Sequence, residues 1–153
     1  MLDDLDIIIL KKLQDNGRIK RNELADSVGL SLPSLSERLK KLEDHNVIQG
    51  YYTKVNRNSF GFDIMAFVSV IMDSSKNYEK FSEHVKKTPE ILECHAILGE
   101  GSHILKVVVK GTKDLESLLG KIQSWPGVHR TVTSFVLSSI KETTSLNLHS
   151  KKE

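Results

Sequence analysis

The segment SLPSLSERLKKLE brings together the residues of this chain best suited to chemistry with another molecule. Ser31, Ser34, Glu37, Arg38 and Lys41 recur there at three- and four-residue spacing, so a helix would stack them on neighbouring turns. The set is fitted to duplex DNA. A guanidinium such as that of Arg38 bonds a guanine edge or a phosphate, an ammonium attracts phosphate, and hydroxyls bond either. Lys54 and Arg57, a short distance downstream, add two cations placed to reach a DNA backbone. Elsewhere the chemistry is less definite. Cys94 and His95 are adjacent, and neighbours on a strand point to opposite faces, so they do not share a metal. No zinc-type spacing occurs in the rest of the chain. Gly99, Glu100 and Gly101 are not a dinucleotide fingerprint, because no third glycine follows and a strand comes next instead of a helix. No nucleophile and base pair stands out, and a lone strand histidine such as His95, His103 or His129 is more often structural or exposed than a ligand.

The elements that position these groups are legible in the apolar spacing. Leu24, Ala25 and Val28 share one helical face, Gly29 breaks the helix, and Leu32, Leu35, Leu39 and Leu42 form a second inward stripe. Ser31 sits where an N-cap belongs, and Pro33 is tolerated in the first turn after it. Two short amphipathic helices joined by a glycine turn make a helix-turn-helix, whose second helix would send Ser34, Glu37, Arg38 and Lys41 towards a major groove. A Lys and Arg face taken alone is usually a solvated helix surface; the adjoining turn is what points to DNA. Leu5, Ile9 and Leu13 mark an earlier helix, with Asp3, Asp4 and Asp6 crowding its first turn, where carboxylates interact well with the helix dipole. After the motif, Asn46 suits a left-handed helix exit. Alternation through Ile48, Tyr51, Thr53 and Val55 predicts a small wing or strand over 47–55, and NRNSFG at 56–61 is the best hinge.

Beyond the hinge the period changes. Strands are predicted over 64–72, 91–98, 104–109 and 128–140, with helix faces at Tyr78, Phe81 and Val85 and at Leu115, Leu118, Leu119 and Ile122. The order βαββαβ is a ferredoxin-like split unit, which makes the chain α+β. Two helices cover only one face of four strands, yet IMAFVSVIM and ILKVVV are apolar on both sides. The open face is expected to pack on a second copy, forming an isologous dimer that presents two helix-turn-helix units to a palindromic site. The expected division is a DNA-binding domain at 1–50, a linker and hinge at 51–61, a ligand-sensing and oligomerisation domain at 62–148 and a tail at 149–153.

Bulk properties narrow the choices without deciding them. A formal charge of +2 over 153 residues is too small to prove nucleic-acid binding. Local excess matters more: between Gly17 and Lys41, Arg18, Lys20, Arg21, Arg38, Lys40 and Lys41 face Glu23, Asp26 and Glu37. A single cysteine excludes an intrachain disulfide and fits a reducing compartment. MLDDLDIIIL is acidic where a secretory signal would be basic, and no apolar run approaches the roughly 20 residues of a bilayer span. No membrane partner is expected, and a cytoplasmic protein is the simplest reading. A helical unit of about 55 residues would be marginal alone, so contacts with a second domain or subunit should help hold it.

Several segments in order, LDDLDIIILKKLQDNGR, ELADSVGLS, SERLKKLE, VIQGYYTKVN, TPEILECHAILG, WPGVHRTVTSFVL and IKETTSLNL, resemble the Lrp/AsnC (leucine-responsive, feast/famine) family of transcription factors over nearly the whole chain. The resemblance implies a winged helix-turn-helix followed by a ferredoxin-like amino-acid-binding (RAM) module, in dimers that associate into a higher even oligomer. It also implies a recognition helix carrying Ser31, Ser34, Arg38 and Lys41, and an effector site between dimers. That site would include Gly99, Glu100, Gly101, Ser102 and His103 of one turn and Thr131, Thr133 and Ser134 of the last strand. Here the sequence departs from the family, which usually has an aromatic residue at Gly101, an aspartate at Ser102 and an aromatic at His103. An amino-acid ammonium needs a carboxylate or several acceptors, and Ser102 supplies no full charge, leaving Glu100 as the candidate. Milder departures are Lys20 in place of a serine-type cap, costing roughly 1 kcal/mol, and Asn46 in place of a glycine. No cofactor is expected. Two alternatives follow: an effector-independent DNA-organising factor, and a tetrapyrrole enzyme like the siroheme decarboxylases, which resemble the same architecture. The charges of Arg38, Lys40 and Lys41 favour DNA.

Overall fold

The computed structural model describes residues 2–149, so Met1 and positions 150–153 of the expected tail lie outside the described residues. The chain forms two compact units, one of residues up to Lys54 together with the segment from Lys141 onward, the other spanning Val55–Ile140. No helix is long and apolar enough to cross a membrane among the described residues.

In the first unit, α1 (Asp4–Asp15) starts at Asp3 with a reciprocal capping box, so the acidic cluster is helix-start chemistry. Helix α2 (Arg21–Ser27) lacks a side-chain cap at Lys20, as its sequence foretells. Gly29, at φ +68°, turns the chain into α3 (Leu32–Asp44), whose Ser31 N-cap accepts the Ser34 N–H. Ile9, Leu24, Ala25, Leu35 and Leu39 form the core, with Leu13, Ile19, Val28, Leu30 and Ile48 packed against it. Leu32 is a correction to the inward stripe. It is 44% exposed, because counting 100° per residue back from Leu35 and Leu39 sets it at the edge of the buried face. Asn46 leaves α3 at φ +56°, and the Val47 and Ile48 amides close on Leu42 O at 2.8 and 3.1 Å.

The expected wing strand does not form. Residues 47–55 carry no β-ladder, and Tyr52 is 87% exposed. An alternating pattern makes a strand only where a neighbouring backbone pairs with it, and no described segment does. What returns to this unit is the segment after residue 140, against the expected boundary at 148. The Gln14 side-chain amide donates to Leu146 O at 3.0 Å and accepts the Leu146 N–H at 2.6 Å, while Lys54 Nζ reaches Glu142 at 3.3 Å.

The second unit is a four-stranded antiparallel sheet in the order β2-β3-β1-β4, built from β1 (Ile64–Met72), β2 (Ile91–Ala96), β3 (His103–Val109) and β4 (Val128–Phe135), with α4 (Tyr78–Lys86) and α5 (Thr112–Gln123). This is the βαββαβ order read from the sequence. β4 stops at Phe135 instead of reaching Ile140: Phe135 pairs with Ala66, the Val136 N–H donates to Met65 O, and beyond that β1 offers only its first residue. Ala66, Val68 and Val70 of β1 pack with Leu105 and Val107 of β3 and with Phe81, Leu118, Ile122 and Trp125. The face turned away from the helices stays partly open, with Phe67 38% and Val132 47% exposed.

His103 belongs to this core. It is buried between Tyr78, edge-on at 4.9 Å, and Phe81, tilted at 4.7 Å, with Nδ1 3.0 Å from Ser102 Oγ. Burial disfavours the imidazolium and holds its pKa below the ordinary 6.5.

Replacing Phe81 with Ala should lower the stability of the second unit by about 3–5 kcal/mol, read in urea by the fluorescence of Trp125, whose ring lies 5.7 Å away. The depressed histidine also fixes a pH sign. Below pH 6.5 the unfolded chain takes up a proton at His103 before the folded chain does, so stability falls as pH drops through 6.5 towards the folded pKa. Urea midpoints from pH 8 to 5 should decline more steeply in the natural protein than in His103→Phe; equal slopes would contradict the assignment.

Candidate nucleic-acid interface and effector turn

Because Leu35, Leu39 and Leu42 are buried, the opposite face of α3 is set by geometry: Pro33, Glu37 and Lys40 point outward, Ser36 borders one side, and Ser34 and Lys41 border the other. All six are exposed. Ser31 and Ser34 share a hydrogen bond of 2.8 Å between their hydroxyls, and both stay at the surface beside the helix start. Glu37 pairs with Lys41 at 2.8 Å, one turn apart, and that ammonium holds the Glu37 carboxyl below its usual range. Ser36, which the sequence reading does not single out, shares this outward face with Lys40, and the same leucine stripe that defines the core places both there.

Arg38 needs a correction. It lies on the flank of α3, with Nη1 bonded to Asp3 at 2.7 Å and Asp6 at 2.8 Å. Its side chain is 29% exposed, and its guanidinium is engaged within the protein instead of projecting with Glu37. Lys54 is likewise bonded to Glu142, and Arg57 Nη1 donates to Phe62 O. Arg18, Lys20, Arg21 and Lys40 are exposed and form no ion pair among the described residues. All four belong to the local basic excess read from the sequence, and what the sequence leaves out is which members of that excess are tied up, because ion pairs between distant segments leave no spacing signature.

The turn between β2 and β3 is closed by the Ile97 N–H donating to Ser102 O at 3.0 Å. Gly101 takes φ +122°, and a Cβ there would approach Val70 O to 3.3 Å, so a larger side chain at this position requires the backbone or its neighbour to shift. Ser102 donates both its N–H, at 2.9 Å, and its hydroxyl, at 3.1 Å, to Val70 O. Glu100 is exposed. Register then sorts the remaining candidates. His103 and Thr131 flank Val70 in one row on the helix side, and Thr133 lies beside Val68 on that side. Ser134, beside Phe67, faces the other way. Thr131 Oγ1 accepts from Gln123 Nε2 at 2.8 Å. Within one chain, therefore, the candidates do not converge on a single pocket: His103 is core, Ser102 and Thr131 are hydrogen-bonded internally, and Ser134 opens onto the uncovered face.

The other candidate ligands are equally dispersed. Exposed His95 and His129 lie 3.5 and 3.4 Å from Glu93 and Asp73. Cys94 pairs with buried Leu105, so it faces the helices while His95 faces away, and burial pushes its thiol pKa up.

Comparison with known proteins accords with this geometry. A sequence model described as winged helix-turn-helix DNA-binding matches residues 2–49, and one described as Lrp/AsnC ligand binding domain matches residues 65–146. The chain is 37% identical over 145 residues to the proline dehydrogenase transcriptional activator of Rhizobium radiobacter, covering 93% of each chain. It is 35% identical over 150 residues to the leucine-responsive regulatory protein of Haemophilus influenzae, covering 96% of this chain and 90% of the relative. Among solved structures, a Neisseria meningitidis transcriptional regulator in complex with L-methionine superposes with a TM-score of 0.89 at 36% identity, covering 95% of this chain and 96% of that one. These relatives bear the names of regulators, which points away from an enzyme. With a helix-turn-helix followed by a four-stranded sheet unit, both matched along nearly their whole length, the chain belongs to the Lrp/AsnC family of transcriptional regulators.

Proposed function

We propose that this protein is a sequence-specific, cytoplasmic regulator that binds duplex DNA as an even oligomer. The observation that carries the reading is the polar outward face of α3, held behind a tight turn by three buried leucines. Inserted into a major groove, Ser34, Ser36, Glu37, Lys40 and Lys41 meet base edges and phosphates. Arg18, Lys20 and Arg21, around the start of α2, supply further phosphate contacts. Pairing comes from the uncovered sheet face: Phe67 and Val132 are exposed there beside Ile71 and Ile104, an apolar surface suited to an identical copy.

Amino-acid response at the turn is the second element of the reading. A methionine-bound relative supports it, as does Glu100, which offers a carboxylate for an ammonium group. The pocket is then completed by another dimer. The engagement of Ser102 by Val70 and the burial of His103 favour the alternative, a regulator whose DNA binding ignores amino acids. Only a ligand that binds two states differently can shift between them.

Fluorescence anisotropy with the DNA upstream of its own gene, over a salt series and with or without pooled amino acids, tests both readings. Tight, salt-sensitive binding changed by the pool supports effector control; equally tight binding unchanged by it supports the constitutive reading. Affinity no better than for random duplex would sink the specific regulator. Lys40→Ala should weaken binding to all sequences and reduce the salt slope by about 1. Phe67→Glu should shift sedimentation towards smaller species; an unchanged assembly would exclude this face as the interface.

A further inference from the structure

Arg38 and the start of α1 form a closed hydrogen-bond network. Asp3 Oδ1 accepts the Asp6 N–H at 2.8 Å, and Asp6 Oδ2 accepts the Asp3 N–H at 3.1 Å. The remaining oxygen of each carboxylate accepts from the same nitrogen of Arg38, at 2.7 and 2.8 Å. All four carboxylate oxygens are thus engaged, two in starting α1 and two in tying it to α3 across more than thirty residues of sequence. Bonds from the Asp6 backbone and from Arg38 hold the Asp3 carboxyl below its usual range.

We infer that Arg38 is a positioning residue that fixes the setting of α3 against the α1 capping box, and that it does not itself read DNA. The inference rests on the DNA-binding reading above. Charge is the first argument. Two carboxylates surround one guanidinium, so the cluster presents a net negative charge to a phosphate, and releasing Arg38 to DNA would strand the Asp6 carboxylate, whose side chain is only 13% exposed. Packing is the second. A cavity of about 610 Å³ opens between this cluster and the flank of α3, lined by Asp3, Asp6, Arg38, Lys41 and His45 among others. Apolar contact does not fill this side of the helix, so the network refines the orientation that the buried leucines set coarsely, and with it the direction in which Glu37, Lys40 and Lys41 point.

The test is a double-mutant cycle of Arg38→Met and Asp6→Asn, with Arg38→Lys as the conservative variant, read as the ratio of affinities for the protein's own upstream DNA and for random duplex. Positioning predicts that each single variant lowers the ratio about tenfold, that the double variant lowers it no further, and that the salt slope stays unchanged. Arg38→Lys, with one compact ammonium, should retain part of the ratio. Direct reading predicts instead that Asp6→Asn leaves the ratio intact while Arg38→Met lowers it and reduces the salt slope by about 1, which would overturn the inference. Equal loss on both duplexes, the mark of general destabilisation, would overturn it too. Hydrogen exchange without DNA supplies an independent arm. Amides of residues 34–39 should exchange faster in either single variant and no faster in the double; rates unchanged from the natural protein would refute the clamp. If the natural protein shows no preference for its upstream DNA, the regulator reading fails while exchange still decides the clamp.

Discussion

Burial of Leu35, Leu39 and Leu42 is the constraint from which the properties of the first unit follow. An α-helix has a fixed angular step, so three buried positions leave no freedom about which others face water. They put Glu37 and Lys40 outward, Arg38 on the flank and Leu32 at the edge. Burying three leucines is worth roughly 1.5–3 kcal/mol each, more than any exposed ion pair on the same helix provides. The apolar stripe therefore sets the rotation coarsely, and polar contacts such as those of Arg38 refine it.

The second unit follows the corresponding rule for sheets. Alternation puts Val68 and Val70 under the helices, and the carbonyl of Val70 becomes the anchor of the β2–β3 turn by accepting two donors from Ser102. An aspartate at that position would bring a carboxylate beside a carbonyl oxygen and lose the hydroxyl donor, whereas serine satisfies it. Ser102 thus serves internal structure at this turn. His103 has a structural role beside it: its ring is buried between Tyr78 and Phe81 and brings a titratable nitrogen into that packing.

Periodicity made most of this fold legible. The glycine turn, the Ser31 cap, the acidic start of α1 and the βαββαβ order are all local patterns, and all are found. The misreadings share one cause. A wing at 47–55 and a strand reaching Ile140 both require a partner backbone, and an outward projection of Arg38 is read from its charge with no knowledge that Asp3 and Asp6 lie opposite. Spacing along a sequence reports on contacts within an element. Contacts between Arg38 and Asp6, or between Leu146 and Gln14, depend on the packing of distant segments and leave no such trace.

The distribution of charge bears on how this regulator gains affinity. On α3 itself, Lys41 is paired with Glu37 and Arg38 with two carboxylates, leaving Lys40 as the cation on that helix without an ion pair among the described residues. Around the start of α2, Arg18, Lys20 and Arg21 add three exposed cations without an ion pair among the described residues. A handful of phosphate contacts supports only weak binding at physiological salt, since each released counterion contributes modestly. Joining two copies on one duplex doubles the contacts and makes the second engagement intramolecular, which raises affinity without a new kind of interaction. On the proposed reading, the few unpaired cations around the helix-turn-helix and the partly open apolar sheet face are two parts of one arrangement, in which assembly would supply the binding strength that a single helix-turn-helix lacks.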